Sequence, residues 1–208
     1  MKYAILIQVR HNSKRLPGKA MLRISGYETI LHVYHQCKKS LLKNIIICTS
    51  KNKTDDSIAR LCKKKKIKFF RGNLNNVYLR YIQTINNFKI KSFIRINGDS
   101  PLINYQIINK AFKIFKKQNY QIVTNVFPRS YPIGQSVEII SSDLFKKVYK
   151  KLNKNDKEHI FKYFYRNYKK FNIYNIKNKN NMSKTNLSIN TLKDYEYLSK
   201  IIKFNEKI

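Results

Sequence analysis

A cluster of cationic and turn-forming residues follows the first apolar stretch of the chain. Residues 3–9 are largely apolar, and residues 10–19, here called the basic loop, read RHNSKRLPGK. Arginine binds phosphate oxygens through two parallel N–H groups, and lysine adds a point charge. Pro17 fixes φ and Gly18 permits a positive φ, so the backbone can turn and present its N–H groups to an anion. The pattern predicts a phosphate-binding loop. A solvated basic turn is the alternative, because lysine is abundant throughout the chain.

A second candidate for chemistry is the carboxylate of Asp99, within the segment NGDSP at residues 97–101. A lone Asp at the end of a strand in a phosphate site often binds a hard cation such as Mg²⁺. Asp99 could instead cap the helix that follows it. The chain has only 11 acidic residues, so each carboxylate near a candidate site carries information, Asp99 and Glu138 above all.

The strongly basic composition has two interpretations. The 208 residues include 44 Lys and Arg and 11 Asp and Glu, which gives a formal net charge of +33. Such a charge favours binding to nucleic acid through its phosphates. The lysines are however scattered along the chain, and Ile and Asn, which like Lys have codons made of A and T alone, are also abundant. We interpret the charge mainly as compositional drift. Nucleic-acid binding remains an alternative without a supporting motif.

Cysteine spacing and hydropathy bear on the cellular compartment. Cys37, Cys48 and Cys62 have no CxxC spacing, so we expect neither a disulfide framework nor a zinc site. His32 and His35 lie three residues apart, but the sequence shows no matching carboxylate or third ligand for a metal site, and we expect the two histidines to be structural. No apolar run is long enough for a membrane span or a signal peptide. We therefore expect a soluble cytoplasmic protein without membrane insertion.

Short apolar runs alternate with segments of helical periodicity. Strands are predicted at residues 3–9, 44–49, 67–71, 92–96 and 121–124, and helices around residues 30–34, 58–62, 77–85 and 107–115. This alternation predicts one α/β domain, a three-layer α/β/α sandwich with a mostly parallel sheet. Ligands of such sheets bind where the strands end at their carboxyl side. The basic loop and the residues after the later strands should therefore line one site.

The remainder of the chain has a less regular pattern. A Pro- and Gly-containing loop at residues 127–134 leads into a predicted strand at residues 136–140, and helical patterns continue through residue 166. We expect a mobile loop at residues 177–184, where Asn and Lys dominate. A last strand at residues 187–190 and a closing helix at residues 191–204 complete the prediction.

Together these motifs resemble the cytidylyltransferases that make CMP-activated sugars, including the acylneuraminate and 3-deoxy-manno-octulosonate enzymes, and most of all the spore-coat polysaccharide type. The resemblance runs along nearly the whole chain. It is carried by the basic loop, Thr49-Ser50 with Asp55-Asp56, Phe70-Arg71-Gly72 with Val77 and Arg80-Tyr81, residues 97–103, Pro128-Arg129-Ser130-Tyr131-Pro132, Glu158-His159 and Asn190-Thr191.

The resemblance implies a Rossmann-like, GT-A-like nucleotidyltransferase sandwich. Residues 1–124 would form its nucleotide-binding part and residues 125–208 its sugar-binding and closing part. It implies transfer of CMP from CTP to a sugar, in particular a sugar acid, with Mg²⁺ as cofactor, pyrophosphate as product, a role in surface polysaccharide synthesis and a homodimeric assembly. The implied catalytic residues are Arg10, Arg15, Lys19 and Asp99. The implied nucleotide contacts are Arg10, Ser13, Arg15, Gly18, Lys19, Ser50, Arg71, Arg95 and Asn97. The implied sugar contacts are Arg129, Tyr131, Glu138 and His159. The implied metal ligands are Asp99 and Asn190.

Three positions depart from the family pattern. Asn190 stands where relatives usually have an Asp that binds metal, and Ile133 and Ser136 stand where relatives of the spore-coat type commonly have Asp. An amide oxygen can coordinate a metal but brings no charge. Two further alternatives therefore stay open: a nucleotidyltransferase of the same fold that uses another nucleotide, and a nucleotide-sugar-binding homologue with weakened catalysis.

Overall fold

Seven strands form one sheet in a computed structural model of the chain, which describes residues 2–13 and 15–202. The strands of the described part, in chain order, are β1 (Tyr3–Gln8), β2 (Arg23–Ile24), β3 (Tyr27–Glu28), β4 (Ile45–Ser50), β5 (Phe69–Gly72), β6 (Ser92–Asn97), β7 (Ile122–Thr124), β8 (Glu138–Ser141) and β9 (Ile173–Asn175). The order in the sheet is β5-β4-β1-β6-β8-β7-β9, and β2 and β3 form a separate two-stranded ribbon. Within the seven-stranded sheet β8 alone runs antiparallel to its two neighbours, so the predicted mostly parallel sheet is confirmed.

Helices cover both faces of this sheet. Those in the described part of the chain are α1 (Thr29–Lys39), α2 (Asp56–Lys64), α3 (Val77–Asn87), α4 (Tyr105–Lys117), α5 (Ser142–Lys147), α6 (Lys154–Glu158), α7 (Lys162–Arg166) and α8 (Leu192–Ile201). Because successive strand residues point to opposite faces, Ile5 and Ile7 of β1 pack with α1, α2 and α4. Ala4 and Leu6 pack with α3, α5 and α7 on the other face. The predicted three-layer sandwich is confirmed.

Close contact between the ends of β1 and β6 brings the first two motifs together. The Gly98 N–H donates to Gln8 O at 2.8 Å. A Cβ at position 98 would lie 2.8 Å from Val9 Cβ and 3.0 Å from Gln8 O, so a side chain there would push the two strand ends apart. Gly98 thereby sets Asp99 beside the start of the basic loop.

The C-terminal part differs from its prediction in two places. Residues 187–190 form no strand: their backbone makes single hydrogen bonds from Leu187 N to Ile133 O (2.8 Å) and from Ile189 N to Asp99 O (2.9 Å), which join two loops and no neighbouring strand. Strand β9 was not predicted. The segment 177–184 is a loop, as expected, but it is held to Ser130 by the N–H groups of Asn178 and Met182, both at 2.8 Å.

The predicted closing helix is confirmed as α8. Its N-terminus has a reciprocal capping box between Thr191 and Asp194, which satisfies N–H groups that the first turn leaves unpaired. Residues 203 and 204, the predicted end of this helix, lie outside the described residues. Within the described residues no helix is both long and apolar enough to cross a bilayer.

Candidate active site

The basic loop is anchored at its start by a buried carboxylate. Asp55, at the beginning of α2, has no solvent exposure. Its Oδ1 accepts the backbone N–H of His11 at 2.6 Å. Its Oδ2 accepts the Thr49 hydroxyl (3.0 Å), the Ser50 N–H (2.9 Å) and the Ser50 hydroxyl (2.5 Å). Asp55 therefore ties the loop to the end of β4. The sequence pointed to Asp55 only as part of a family motif and gave it no role.

The loop then turns back on itself. Gly18 has φ of +73°, as its position in the motif predicted, and its N–H donates to His11 O at 2.8 Å. Lys19 follows at the first residue of a short 3₁₀ helix (Lys19–Met21). The turn directs Lys19 toward the end of β6.

A cavity of about 360 Å³ lies between the basic loop and the carboxyl ends of β1 and β6. Its lining includes eight of the predicted site residues: Arg10, Ser13, Arg15, Lys19, Asn97, Asp99, His159 and Asn190. We call it the nucleotide cavity, after the ligand that the resemblance predicts for these residues. Residues separated by up to about 180 positions in sequence thus meet where the topology of open α/β sheets places ligands.

Lysine 19 is the most constrained cation of this cavity. Its Nζ donates to Asp99 Oδ2 at 2.5 Å, to Ile189 O at 2.7 Å and to Asn190 Oδ1 at 3.3 Å. The side chain is only 12% exposed. In this structure the ammonium therefore binds protein oxygens on all three of its donors.

The two arginines of the cavity have fewer partners. Arg15 Nη2 donates to Asn190 Oδ1 at 3.0 Å. Arg10 Nη2 forms an ion pair with Glu158 Oε1 at 3.2 Å, and both side chains are partly exposed. Each guanidinium retains donors that could bind phosphate oxygens.

A second cavity, of about 490 Å³, adjoins the first at His159, which lines both. Its floor contains Arg95, whose Nη1 donates to Glu138 Oε2 at 2.7 Å, and Tyr165, whose hydroxyl donates to Glu138 Oε1 at 2.5 Å. Phe127 stacks on the Tyr165 ring at 4.8 Å between centroids. We call this the acceptor cavity, after the sugar contacts that the resemblance predicts for Glu138 and His159.

The ionisable groups of this floor stabilise one another. Burial raises the pKa of Tyr165 well above its usual value, and the adjacent Glu138 carboxylate raises it further, so Tyr165 stays a protonated donor. Burial acts to lower the pKa of Arg95, but the ion pair with Glu138 outweighs it and leaves that pKa raised. The floor is therefore a preorganised network of a cation, an anion and a phenol.

Several predicted contacts lie elsewhere. Arg95, predicted to contact the nucleotide, lines the acceptor cavity, because it stands directly opposite Glu138 across the β6–β8 pair, where side chains share a face. Ser50 and Arg71 do not line the nucleotide cavity. Arg71 instead donates to Ser50 O (2.8 Å) and pairs with Asp56 Oδ1 (2.6 Å).

Two predicted sugar contacts also lie outside the acceptor cavity lining. Arg129 donates to Pro132 O at 3.2 Å and to Ser136 Oγ at 3.0 Å. Burial lowers the pKa of Arg129, and the nearby Glu138 carboxylate partly offsets this lowering. Tyr131 lines a separate surface cavity next to Pro132. Both belong to the loop before β8, whose path depends on contacts that sequence periodicity does not contain.

The oxygens around Lys19 are of the kind that Mg²⁺ prefers. Asp99 Oδ2, Asn190 Oδ1 and Ile189 O all approach one point, and together they provide one negative charge. The described residues contain no cluster of three or more His, Cys, Asp and Glu side chains suited to a metal. The donor set thus fits a hard cation, through one carboxylate and neutral oxygens.

Comparison with known proteins agrees with this geometry. A family model described as Cytidylyltransferase matches residues 4–207. An uncharacterized protein of Methanocaldococcus jannaschii is 30% identical over 94% of this chain and 81% of its own length. The spore coat polysaccharide biosynthesis protein SpsF of Bacillus subtilis is 27% identical over 67% of the chain, and the 3-deoxy-manno-octulosonate cytidylyltransferase of Wigglesworthia glossinidia brevipalpis is 29% identical over 71%. The matches to these last two span about three fifths of the relatives' own length, 59% and 60%.

Solved structures give the same result. A cytidylyltransferase from Leptospira borgpetersenii superposes with a TM-score of 0.94 and 30% identity, over 100% of this chain and 90% of that chain. A CMP:2-keto-3-deoxy-manno-octonic acid synthetase solved in complex with CTP superposes with a TM-score of 0.73 over 97% and 98% of the two chains. At 16% identity the second likeness concerns the fold alone. The family model, the relatives and the arrangement of the cavity agree: this chain belongs to the cytidylyltransferase family.

Proposed function

We propose that this protein transfers CMP from CTP to a hydroxyl group of a sugar acid and releases pyrophosphate. The observation that supports the proposal is the nucleotide cavity, which Arg10, Arg15 and Lys19 line together with Asp99 at the ends of β1 and β6. Three cations in one cavity suit a triphosphate, and the family membership of the chain favours cytidine as the base.

In the proposed reaction the acceptor hydroxyl oxygen bonds to the α-phosphorus of CTP. The bond from that phosphorus to the oxygen bridging to the β-phosphate breaks, and the hydroxyl proton passes to solvent. Arg10 and Arg15, which line this cavity, would bind the charge that develops on the departing pyrophosphate. Positioning and charge stabilisation supply most of the acceleration in such transfers.

Mg²⁺ is the proposed cofactor. Asp99 and Asn190 would hold it, and the bound ion would neutralise phosphate charge. Of these two residues only Asp99 brings a negative charge, so the protein's own contribution to metal affinity is modest.

The acceptor cavity would receive the sugar. It touches the nucleotide cavity at His159, so an acceptor bound there has access to the α-phosphate. Its lining includes three cationic side chains. Arg95 is paired with Glu138, and Arg166 is paired with the buried carboxylate of Asp156. Lys162 forms no ion pair among the described residues, so its ammonium could bind an anionic acceptor. The names of the relatives support a sugar acid as the acceptor and a role in polysaccharide synthesis. We further propose that the reaction takes place in the cytoplasm and that the protein is a homodimer.

Asn190 favours a second candidate function: the protein binds a nucleotide sugar but does not catalyse its formation. An amide at this position halves the carboxylate charge that two Asp residues would offer to a metal. A homologue that had lost catalysis could retain the nucleotide cavity with this change.

A pyrophosphate-release assay tests these functions. CTP, UTP, GTP and ATP are each combined with Mg²⁺ and an acceptor: 3-deoxy-manno-octulosonate, N-acetylneuraminate or a neutral hexose. We expect release with CTP and a sugar acid, a loss of about 100-fold or more for Asp99→Asn and Arg15→Gln, and unchanged release for Arg23→Gln, whose ion pair with Glu28 lies outside both cavities. CTP binding without release would favour the binding protein. Salt-sensitive binding of DNA or RNA without nucleotide selectivity would refute both.

A further inference from the structure

The ammonium of Lys19 occupies the point on which the oxygens of Asp99, Ile189 and Asn190 converge. Its three contacts, at 2.5, 2.7 and 3.3 Å, use the full donor capacity of an ammonium. A divalent cation bound by the same oxygens would need the same space. Lys19 and such an ion therefore compete for one position.

The charges around this position favour Lys19 in the free protein. Asp99 is the one carboxylate in contact with the Lys19 ammonium among the described residues. The Asn190 amide oxygen accepts from both Lys19 and Arg15, so two cations share one anion and one neutral oxygen. A free divalent ion would meet net positive charge here, and like charges at this distance repel strongly in a partly buried site.

The oxygens themselves are held in place. Asn190 N donates to Asp194 Oδ2 at 3.0 Å, and the backbone N–H of Ile189 donates to Asp99 O at 2.9 Å. These bonds fix both backbone segments that carry the three oxygens. The flexible partner is the four-carbon side chain of Lys19, so the lysine is the group that moves.

We propose that Lys19 is the resident cation of this oxygen site and that it excludes divalent ions until a triphosphate offers its ammonium new acceptors. The exclusion of divalent ions by Lys19 concerns the nucleotide-free protein and does not depend on which reaction the protein catalyses. The release of Lys19 by nucleotide rests on the proposed function. The protein would then bind its divalent ion together with the nucleotide and not before it.

Electron paramagnetic resonance of Mn²⁺ tests the proposal without any turnover. In the absence of nucleotide we expect the wild-type protein to leave the Mn²⁺ signal of free solution nearly unchanged. Lys19→Met removes the competing charge, and Mn²⁺ should then bind on the order of tenfold more tightly or better. Adding Asp99→Asn to Lys19→Met should abolish that binding. Lys43→Met is the matched control, because the Lys43 ammonium donates to Lys38 O, it does not line the nucleotide cavity, and its loss changes the net charge equally.

Lys19→Gln is the second variant, to be used if Lys19→Met does not fold, because its amide can keep a hydrogen bond to Asp99. Circular dichroism checks the folding of both variants. Wild-type binding of Mn²⁺ as tight as that of the Lys19 variants would overturn the proposal, and so would variants that bind no more Mn²⁺ than Lys43→Met. Adding CTP to the wild type should allow the protein to bind Mn²⁺. Mn²⁺ binding by the Lys19 variants, with no CTP binding by the wild type, would leave the exclusion intact and refute the proposed function.

Discussion

Replacing Asp55 by Asn should separate the anchoring of the basic loop from the chemistry of the cavity. The buried carboxylate accepts four hydrogen bonds, one from His11 N and three from the groups of Thr49 and Ser50. An asparagine offers one oxygen and one NH₂ group in the same space. Its best orientation keeps the oxygen on Thr49 and Ser50 and sets the NH₂ group against the His11 N–H.

The magnitude follows from those contacts. One charge-assisted bond is lost and a buried donor is left facing another donor, and the three bonds that remain lose the charge that strengthened them. We expect the free energy of unfolding to fall by about 3 kcal/mol. The loop start is also released from β4, so pyrophosphate affinity should fall on the order of tenfold.

Urea denaturation and isothermal titration with pyrophosphate measure the two effects. Asp56→Asn is the matched control: it removes the same charge from the next residue, whose ion pair with Arg71 is partly exposed, and should cost about 1 kcal/mol or less. If Asp55→Asn is as stable as Asp56→Asn and binds pyrophosphate equally well, the anchoring role of Asp55 is wrong.

Three further changes test other parts of the site. Glu158→Gln frees Arg10 from a partly exposed ion pair and should tighten pyrophosphate binding about two- to fivefold in calorimetry; unchanged or weaker binding would contradict this. Tyr165→Phe leaves one oxygen of buried Glu138 without its donor and should lower the free energy of unfolding by about 1–3 kcal/mol while CTP affinity is unchanged; a loss of CTP affinity would show that the two cavities are not separate. Burial lowers the pKa of His32 below its usual 6.5, so the unfolded chain binds this proton more readily. The free energy of unfolding should therefore be highest above pH 6.5 and should decline as the pH falls from there through the lowered pKa. Urea titrations at several pH values measure this decline, which should be smaller in His32→Gln.

The sequence predicted those parts of the fold that depend on local pattern. The runs that became β1, β4 and β6 are short, apolar and bounded by turn residues, and the helices between them have a regular 3.6-residue spacing. Segment 187–190 also alternates apolar and polar residues, but Ile189 packs with α8 and the β2–β3 ribbon and has no strand beside it. The short strand β9 is half-buried throughout and lacks a clear alternation.

The nucleotide cavity was predictable because one topological rule brings the residues after neighbouring strands together. The basic loop and Asp99 obey that rule. Arg95 lines the acceptor cavity because its partner, Glu138, is set by the register of an antiparallel pair 43 residues apart in sequence, and its contact with the nucleotide stays a prediction. Asp55 was not assigned a role because its four hydrogen bonds come from two other segments, the start of the basic loop at His11 and the end of β4 at Thr49 and Ser50. Such long-range pairings leave no periodic signal in the sequence.

Phosphorus-31 nuclear magnetic resonance of the protein with CTP, Mg²⁺ and a sugar acid tests the central claim most directly, because it identifies the products themselves. The account predicts that the three CTP signals decline together while a phosphodiester and inorganic pyrophosphate form in equal molar amounts, so that the pyrophosphate signal grows with twice the intensity of the phosphodiester signal. The phosphodiester should be absent with Asp99→Asn. Unchanged CTP with every sugar acid, or release of CMP and pyrophosphate without a phosphodiester, would contradict it.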